Sequence, residues 1–153
     1  SLALAEYYSK AGNDAAAKTA YEKGIKESIE FYYNVRKVSN DNVTGVLTPT
    51  TDAEINAYLA SEGVNWATPN ANKIELIANQ KWIHFNVVQP LDSWAEIRRL
   101  GFPKLTFRDD ASNAQKQPPF RWFYPTSERT YNGDNYSKVQ SNDVLNKKIF
   151  WNN

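Results

Sequence analysis

The stretch from Ile74 to Pro103, IELIANQKWIHFNVVQPLDSWAEIRRLGFP, constrains the fold of this chain more than any other. Ile74, Ile77, Ala78, Trp82 and Phe85 recur at helical spacing, and a second apolar row runs through Leu76, Ile83 and Val87. Two rows on one helix predict burial over more than half its circumference, with Glu75, Asn79 and Asn86 marking the wet side. Pro90 interrupts the pattern because it lacks an N–H and fixes φ. Trp94, Ile97 and Leu100 then resume it until Gly101 and Pro103 stop it. The spacing predicts a helical hairpin or a kinked pair, with Ile77, Trp82, Phe85, Trp94 and Ile97 largely buried.

What surrounds this stretch sorts into three parts. Residues 1–37 predict two antiparallel helices: Leu4, Ala5 and Tyr8, then Ala17, Tyr21 and Gly24, follow the spacing of a tetratricopeptide repeat. Gly12-Asn13-Asp14 makes the turn, and the small residues imply close helix approach. One such repeat cannot bury its own face, so it needs neighbours. Residues 38–72 are polar and turn-rich, with a short helix opening at Asp52 under a Thr51 or Asp52 cap. From Lys104 to Asn153 the periodicity disappears, and Pro118-Pro119 and Tyr124-Pro125 force extended or turn conformations. Asn132-Gly133-Asp134 predicts a turn. The many aromatic residues of this segment argue against disorder and for a long irregular strap wrapped over the helices. The fold class expected is therefore mainly α, with tetratricopeptide-like helical hairpins and a long irregular C-terminal segment, all within one domain spanning residues 1–153.

Composition excludes several function classes. A net charge of +1 with scattered Lys and Arg leaves no nucleic-acid footprint. No apolar run is long enough to span a bilayer as a helix. The absence of cysteine rules out disulfides and thiolate metal sites. The chain starts inside a helical pattern at Ser1-Leu2-Ala3, which leads us to expect a fragment of a longer protein.

Several ordered pieces carry a resemblance: Leu76-Ile77, Gln80-Lys81-Trp82-Ile83, Phe85, Trp94 and Arg98-Arg99-Leu100-Gly101-Phe102-Pro103. Downstream come Arg121, Tyr124-Pro125, Glu128, Asn132, Asn135-Tyr136 and Phe150-Trp151. Together they resemble the C-terminal signature of the SusD/RagB family, surface nutrient-binding lipoproteins of Gram-negative bacteria. The resemblance implies an α-rich protein at the extracellular face of the outer membrane, held by a lipid anchor that would lie outside this fragment. It implies non-catalytic binding of an oligosaccharide or other nutrient, delivered to a SusC-like TonB-dependent transporter. It implies no enzyme activity and no cofactor. Two other classes stay open: a helical-repeat scaffold that binds proteins, and a carbohydrate-active enzyme.

His84 stands alone, without a second His or any Cys to build a metal site, and reads as structural or solvent-edge. Asp92 and Glu96 share a helix face, but helix neighbours do not make the cleft that glycosidase chemistry needs, so no catalytic residue is assigned. One of Arg98 and Arg99 would point inward and need a partner, with Asp109, Asp110, Glu128 or carbonyls of the C-terminal segment as candidates. Gln80, on the Leu76–Ile83 row, would bond loop backbone. Sugar binding needs an open aromatic face flanked by amides and carboxylates. Asn65-Trp66, with Tyr58 one helix back, matches best, and Trp122 is the second candidate. Trp66 has two readings, a stacking platform or a lid on the core.

Overall fold

The computed structural model describes residues 1–39, 45–108 and 118–150. Its elements run α1 (Leu2–Lys10), α2 (Asp14–Val38), α3 (Asp52–Leu59), α4 (Lys73–Val88), α5 (Pro90–Leu100), α6 (Thr126–Tyr131) and α7 (Gly133–Val139), closed by a 3-10 turn over Gln140–Asn142. No strand occurs among the described residues. The chain is mainly helical, as the periodicity predicts.

Cap chemistry sets the starts of the long elements. Asn13 accepts the Ala16 N–H at 3.1 Å and opens α2. Thr51 and Glu54 form a reciprocal capping box at α3. Asn72 accepts from the N–H groups of Ile74 and Glu75 at α4. Gln89 ends α4 and caps α5, with Pro90 at the first helical position, where its missing N–H costs nothing. Gly101, at φ 70, supplies the left-handed residue that ends α5.

Two helical hairpins, α1–α2 and α4–α5, pack through α1 against α4. The core between them is small: Ala5, Ala17, Ala20, Tyr21, Ile25, Leu76 and Ile77, closed by Val64 and Trp66 from the loop after α3. The tetratricopeptide-like small residues are where the helices meet. A Cβ placed on Gly24 would lie 2.7 Å from Leu2 Cγ, so only glycine allows this approach.

The structure differs from the sequence reading in two places. Ile77 is fully buried, but Trp82, Phe85, Trp94 and Ile97 are only half-buried. The inward side of α4 runs through Leu76, Ile77, Ala78, Gln80 and Lys81, so a polar pair occupies positions that periodicity assigned to apolar side chains. The C-terminal segment is also not uniformly irregular. Residues 104–108 and 118–125 lack helix or strand, but α6, α7 and the 3-10 turn follow, and the turn expected at Asn132-Gly133-Asp134 is the junction at Asn132 between α6 and α7. These helices have no buried residue, so no apolar period announces them. The segment lies against α5 through Phe107, whose ring meets Trp94, and through Phe120. Trp122, Phe123, Tyr131 and Phe150 are exposed.

Candidate ligand-binding surface

The three residues singled out for sugar contact fall in three different places. Trp66 is 4% exposed. Its ring packs on Tyr21 at 5.1 Å between centroids, and its indole N–H donates to Asp14 Oδ1 at 3.1 Å. Lys73 lies over the ring and donates to the Trp66 carbonyl. Both ring faces are therefore covered, and of its two readings Trp66 takes the second, the lid on the core. Tyr21 beneath it donates its hydroxyl to the Val64 carbonyl at 2.9 Å, and burial pushes that phenol well above the ordinary tyrosine range. Asn65 is half-buried and accepts the Ala67 N–H at 2.8 Å, a bond that shapes its own loop.

Tyr58 alone reaches a concave surface. It lines a groove of about 520 Å³ with Tyr32, Tyr33, Arg36, Gln80 and Thr48. Its hydroxyl donates to Gln80 Oε1 at 3.1 Å. The partner of the buried Gln80 amide is thus a side chain on α3, not the loop backbone expected from sequence. Tyr32 donates to the His84 carbonyl, which fixes the ring on the groove wall. The arrangement joins phenol faces, an amide, a hydroxyl and a guanidinium, the groups that take pyranose C–H faces and hydroxyls. Tyr32 and Tyr33 were missed as site residues because a helical run of aromatics reads as core. The available signal was their place on α2 beyond the tetratricopeptide-like spacing, where no partner helix was in view.

Charged residues near the helix junction are structural. Glu6 is buried and receives Arg99 through Nη1 and Nη2 at 2.6 and 2.7 Å, together with Lys81 and Lys10. Glu96 takes Lys81 at 2.8 Å and Arg99 at 2.7 Å. Arg99 holds the Glu6 carboxyl far below the usual range against the opposing effect of burial, with Lys10 and Lys81 adding to it. Burial works against the charge on Glu96, but Arg99 and Lys81 outweigh it and its pKa is also lowered. The inward arginine is therefore Arg99, paired with acids on α1 and α5 rather than with Glu128. Asp109 and Asp110 lie outside the described residues. Arg98 turns to the C-terminal segment and donates to the Phe120 carbonyl. With Glu96 held in this network, it is not available as one of a catalytic pair with Asp92. His84 shares a 2.8 Å hydrogen bond with Ser28 and meets the rings of Phe31 and Tyr32 edge-on, and burial lowers its pKa.

Residues 1–125 match the model of the SusD-like family described as "Starch-binding associating with outer membrane". The chain belongs to the SusD-like family. Among solved structures it is similar to a Bacteroidetes AC2a SusD-like protein, with 25% identity and a TM-score of 0.69 over 90% of this chain and 26% of that one. It is also similar to a chitin-binding protein, with 28% identity and a TM-score of 0.57 over 99% of this chain and 31% of that one. The chain thus spans only about a quarter to a third of the length of these structures. None of the curated proteins matches the sequence. No described helix is long and apolar enough to cross a membrane.

In this SusD-like chain two of the downstream motif residues, Tyr124 at the end of the matched span and Tyr136 beyond it, converge on a residue that sequence reading overlooked, Asp143. Its Oδ1 accepts the Tyr124 N–H at 2.7 Å, and its Oδ2 accepts from Arg129 and from the Tyr136 hydroxyl, both at 2.7 Å. The Tyr136 hydroxyl, then the Tyr124 N–H and Arg129, hold the carboxyl down to about 2. Asn132 donates to Glu128 at 2.8 Å, and Arg121 stacks over Tyr124 at 4.6 Å. Tyr124, Arg129 and Tyr136 thus form a lock on Asp143 for the C-terminal segment. Trp122 lies beside it and is 80% exposed.

Proposed function

We infer that this chain is the C-terminal part of a cell-surface glycan-binding protein that captures an oligosaccharide without altering it. The observation that carries this is the family match over residues 1–125, with its starch-binding, outer-membrane description. The similarity to a chitin-binding protein and the tyrosine-lined groove at Tyr58 support it. The whole protein is lipid-anchored at the extracellular face of the outer membrane and passes its ligand to a SusC-like TonB-dependent transporter. It needs no cofactor and no acid/base pair, because binding and hand-over break no bond. Asn65 and Trp66 serve the site indirectly, by holding the loop after α3 against the core while Tyr58 makes the contact.

The test is calorimetry on the full-length protein with a panel of maltose-, chitin- and galactose-derived oligosaccharides. An aromatic face and a hydroxyl bond contribute on the order of 1 kcal/mol each, so Tyr58→Ala should weaken binding roughly five- to thirty-fold. Tyr58→Phe, which keeps the ring, should lose only the smaller part. Unchanged affinity in both variants removes Tyr58 from the site. Release of sugar fragments in the same solutions would overturn the binding-protein reading, as would failure of the full-length protein to co-purify with a TonB-dependent transporter.

A further inference from the structure

Two groups of positive charges in this chain contrast. Lys10, Lys18, Lys23, Lys81, Arg99 and Arg129 each face a carboxylate within 4 Å. Among the described residues Arg98, Lys104, Arg121 and Lys148 have no carboxylate within 4 Å, and their contacts are with aromatic rings and carbonyls. Lys104 lies over Phe102 at 4.8 Å and Lys148 over Phe120 at 5.6 Å. Arg121 lies over Tyr124, and Arg98 donates to the Phe120 carbonyl while its buried Nε–H has no acceptor. These four line two adjoining grooves of about 400 and 490 Å³ that share Trp94, Arg98, Pro118 and Phe120 and so form one face. No Asp or Glu lies among the described lining residues.

Aromatic surface is interleaved with these cations. Trp94, Phe107, Phe120 and Trp122 contribute rings to the face, and Trp122 is the most open of them. The segment that presents Trp122 is fixed on both sides. The Phe120 N–H donates to the Leu145 carbonyl at 2.8 Å, and the Tyr124 N–H is held by Asp143. Pro118 and Pro119 stiffen its approach. A ring held outward on a fixed backbone loses little entropy when a ligand stacks on it.

We propose that this face binds an acidic glycan, a pyranose chain bearing carboxylate or sulfate groups, with Trp122 as the stacking platform and Arg98, Arg121, Lys104 and Lys148 as the anion contacts. The charge pattern selects the class. Neutral sugars need amides and carboxylates to accept from their hydroxyls, whereas the described lining carries Arg98, Lys104, Arg121 and Lys148 against the single amide of Asn146 and no carboxylate. A guanidinium fork matches a planar carboxylate, and an ammonium suits either anion. The inference rests on the glycan-binding reading above and adds a second surface, apart from the Tyr58 groove, for glycans that carry negative charge.

The experiment titrates the full-length protein with oligogalacturonate, a sulfated galacto-oligosaccharide and a neutral galacto-oligosaccharide, at low and at high salt. At low salt at least one acidic probe should bind roughly tenfold or more tighter than the neutral one, and that advantage should shrink with salt because exposed charges are screened. The uronate and sulfate arms identify which anion is preferred. Trp122→Ala and the double variant Lys104→Gln/Lys148→Gln should each reduce acidic-probe binding by about fivefold or more at unchanged melting temperature, by the strength of one stacking or charged contact. A neutral probe that binds as tightly as the acidic ones overturns the proposal. So does a Trp122→Ala variant that keeps full affinity, or one that melts markedly lower, which would mean the ring is covered in the whole protein. Equal binding of a single-stranded DNA oligomer through the same residues overturns it too. Acidic-probe binding lost only in Tyr58→Ala moves the site and leaves the glycan reading intact, whereas no binding of any sugar removes both.

Discussion

Trp66 shows how one side chain can satisfy two patterns in a sequence and only one in the fold. In Asn65-Trp66 it has the composition of a sugar platform, and a polar loop is where such platforms occur. In the fold it seals Tyr21 and donates to Asp14. Trp66→Ala should therefore cost about 3–5 kcal/mol of stability, the range for removing a large buried aromatic, and a denaturant melt measures it. Glu6 and Lys81 carry the same lesson with the sign reversed. They stand 75 positions apart, and nothing local to either says that one buried charge answers the other. Glu6→Gln should cost roughly 1.5–3 kcal/mol because it removes the anion that Lys81, Arg99 and Lys10 share and leaves the buried Lys81 ammonium with Glu96 alone. The pH dependence follows from the lowered Glu6 carboxyl. The folded state holds fewer protons at this site than the unfolded chain does. Its stabilising effect is complete above the ordinary value of 4.5 and is lost as pH falls from there toward the depressed folded-state value. Melting curves at pH of about 3 and about 6 should differ more in the wild type than in Glu6→Gln.

At the scale of elements, local chemistry was most legible where a few adjacent residues decide the outcome. The helix start capped by Thr51 (one of the two candidates, with Asp52), the Gly101 stop and the Pro90 break follow from residues close in sequence, and all three stand in the structure. The spacing of Ala5, Ala17, Tyr21 and Gly24 correctly gave the first hairpin, because small residues at that interval leave no other surface for close packing. Gly24→Ala tests that contact. Alanine gains up to about 1 kcal/mol of helix propensity, but its methyl would meet Leu2 at 2.7 Å, so the net change should be a loss of roughly 1–3 kcal/mol, read as a lowered melting temperature. The signal failed for α6 and α7, whose exposed faces carry no apolar period. It overreached for Trp82, Phe85 and Trp94, where apolar spacing implied a deeper core than two short hairpins provide.

For the molecule as a whole, the family was legible from scattered signature residues, while the candidate site was legible only in part. Tyr58 was reachable from sequence as an aromatic beside a polar loop. Its groove partners Tyr32, Tyr33 and Gln80 come from α2 and α4, and only the packing of the two hairpins unites them with α3. Arg98, Lys104, Arg121 and Lys148 are likewise spread over 51 positions and become one face only when residues 118–120 lie against α5. The Asp143 lock has a further consequence for how the C-terminal segment opens. One carboxylate holds the Tyr124 amide, Arg129 and Tyr136 together, so none of the three can be released without unbalancing the others. Residues 124–143 should then open as one cooperative unit rather than fray from the end. Under hydrogen exchange, the Tyr124 amide should lose protection at the same rate as the Tyr136 amide in α7, and Asp143→Asn should accelerate both together while leaving the Tyr21 amide in α2 unchanged.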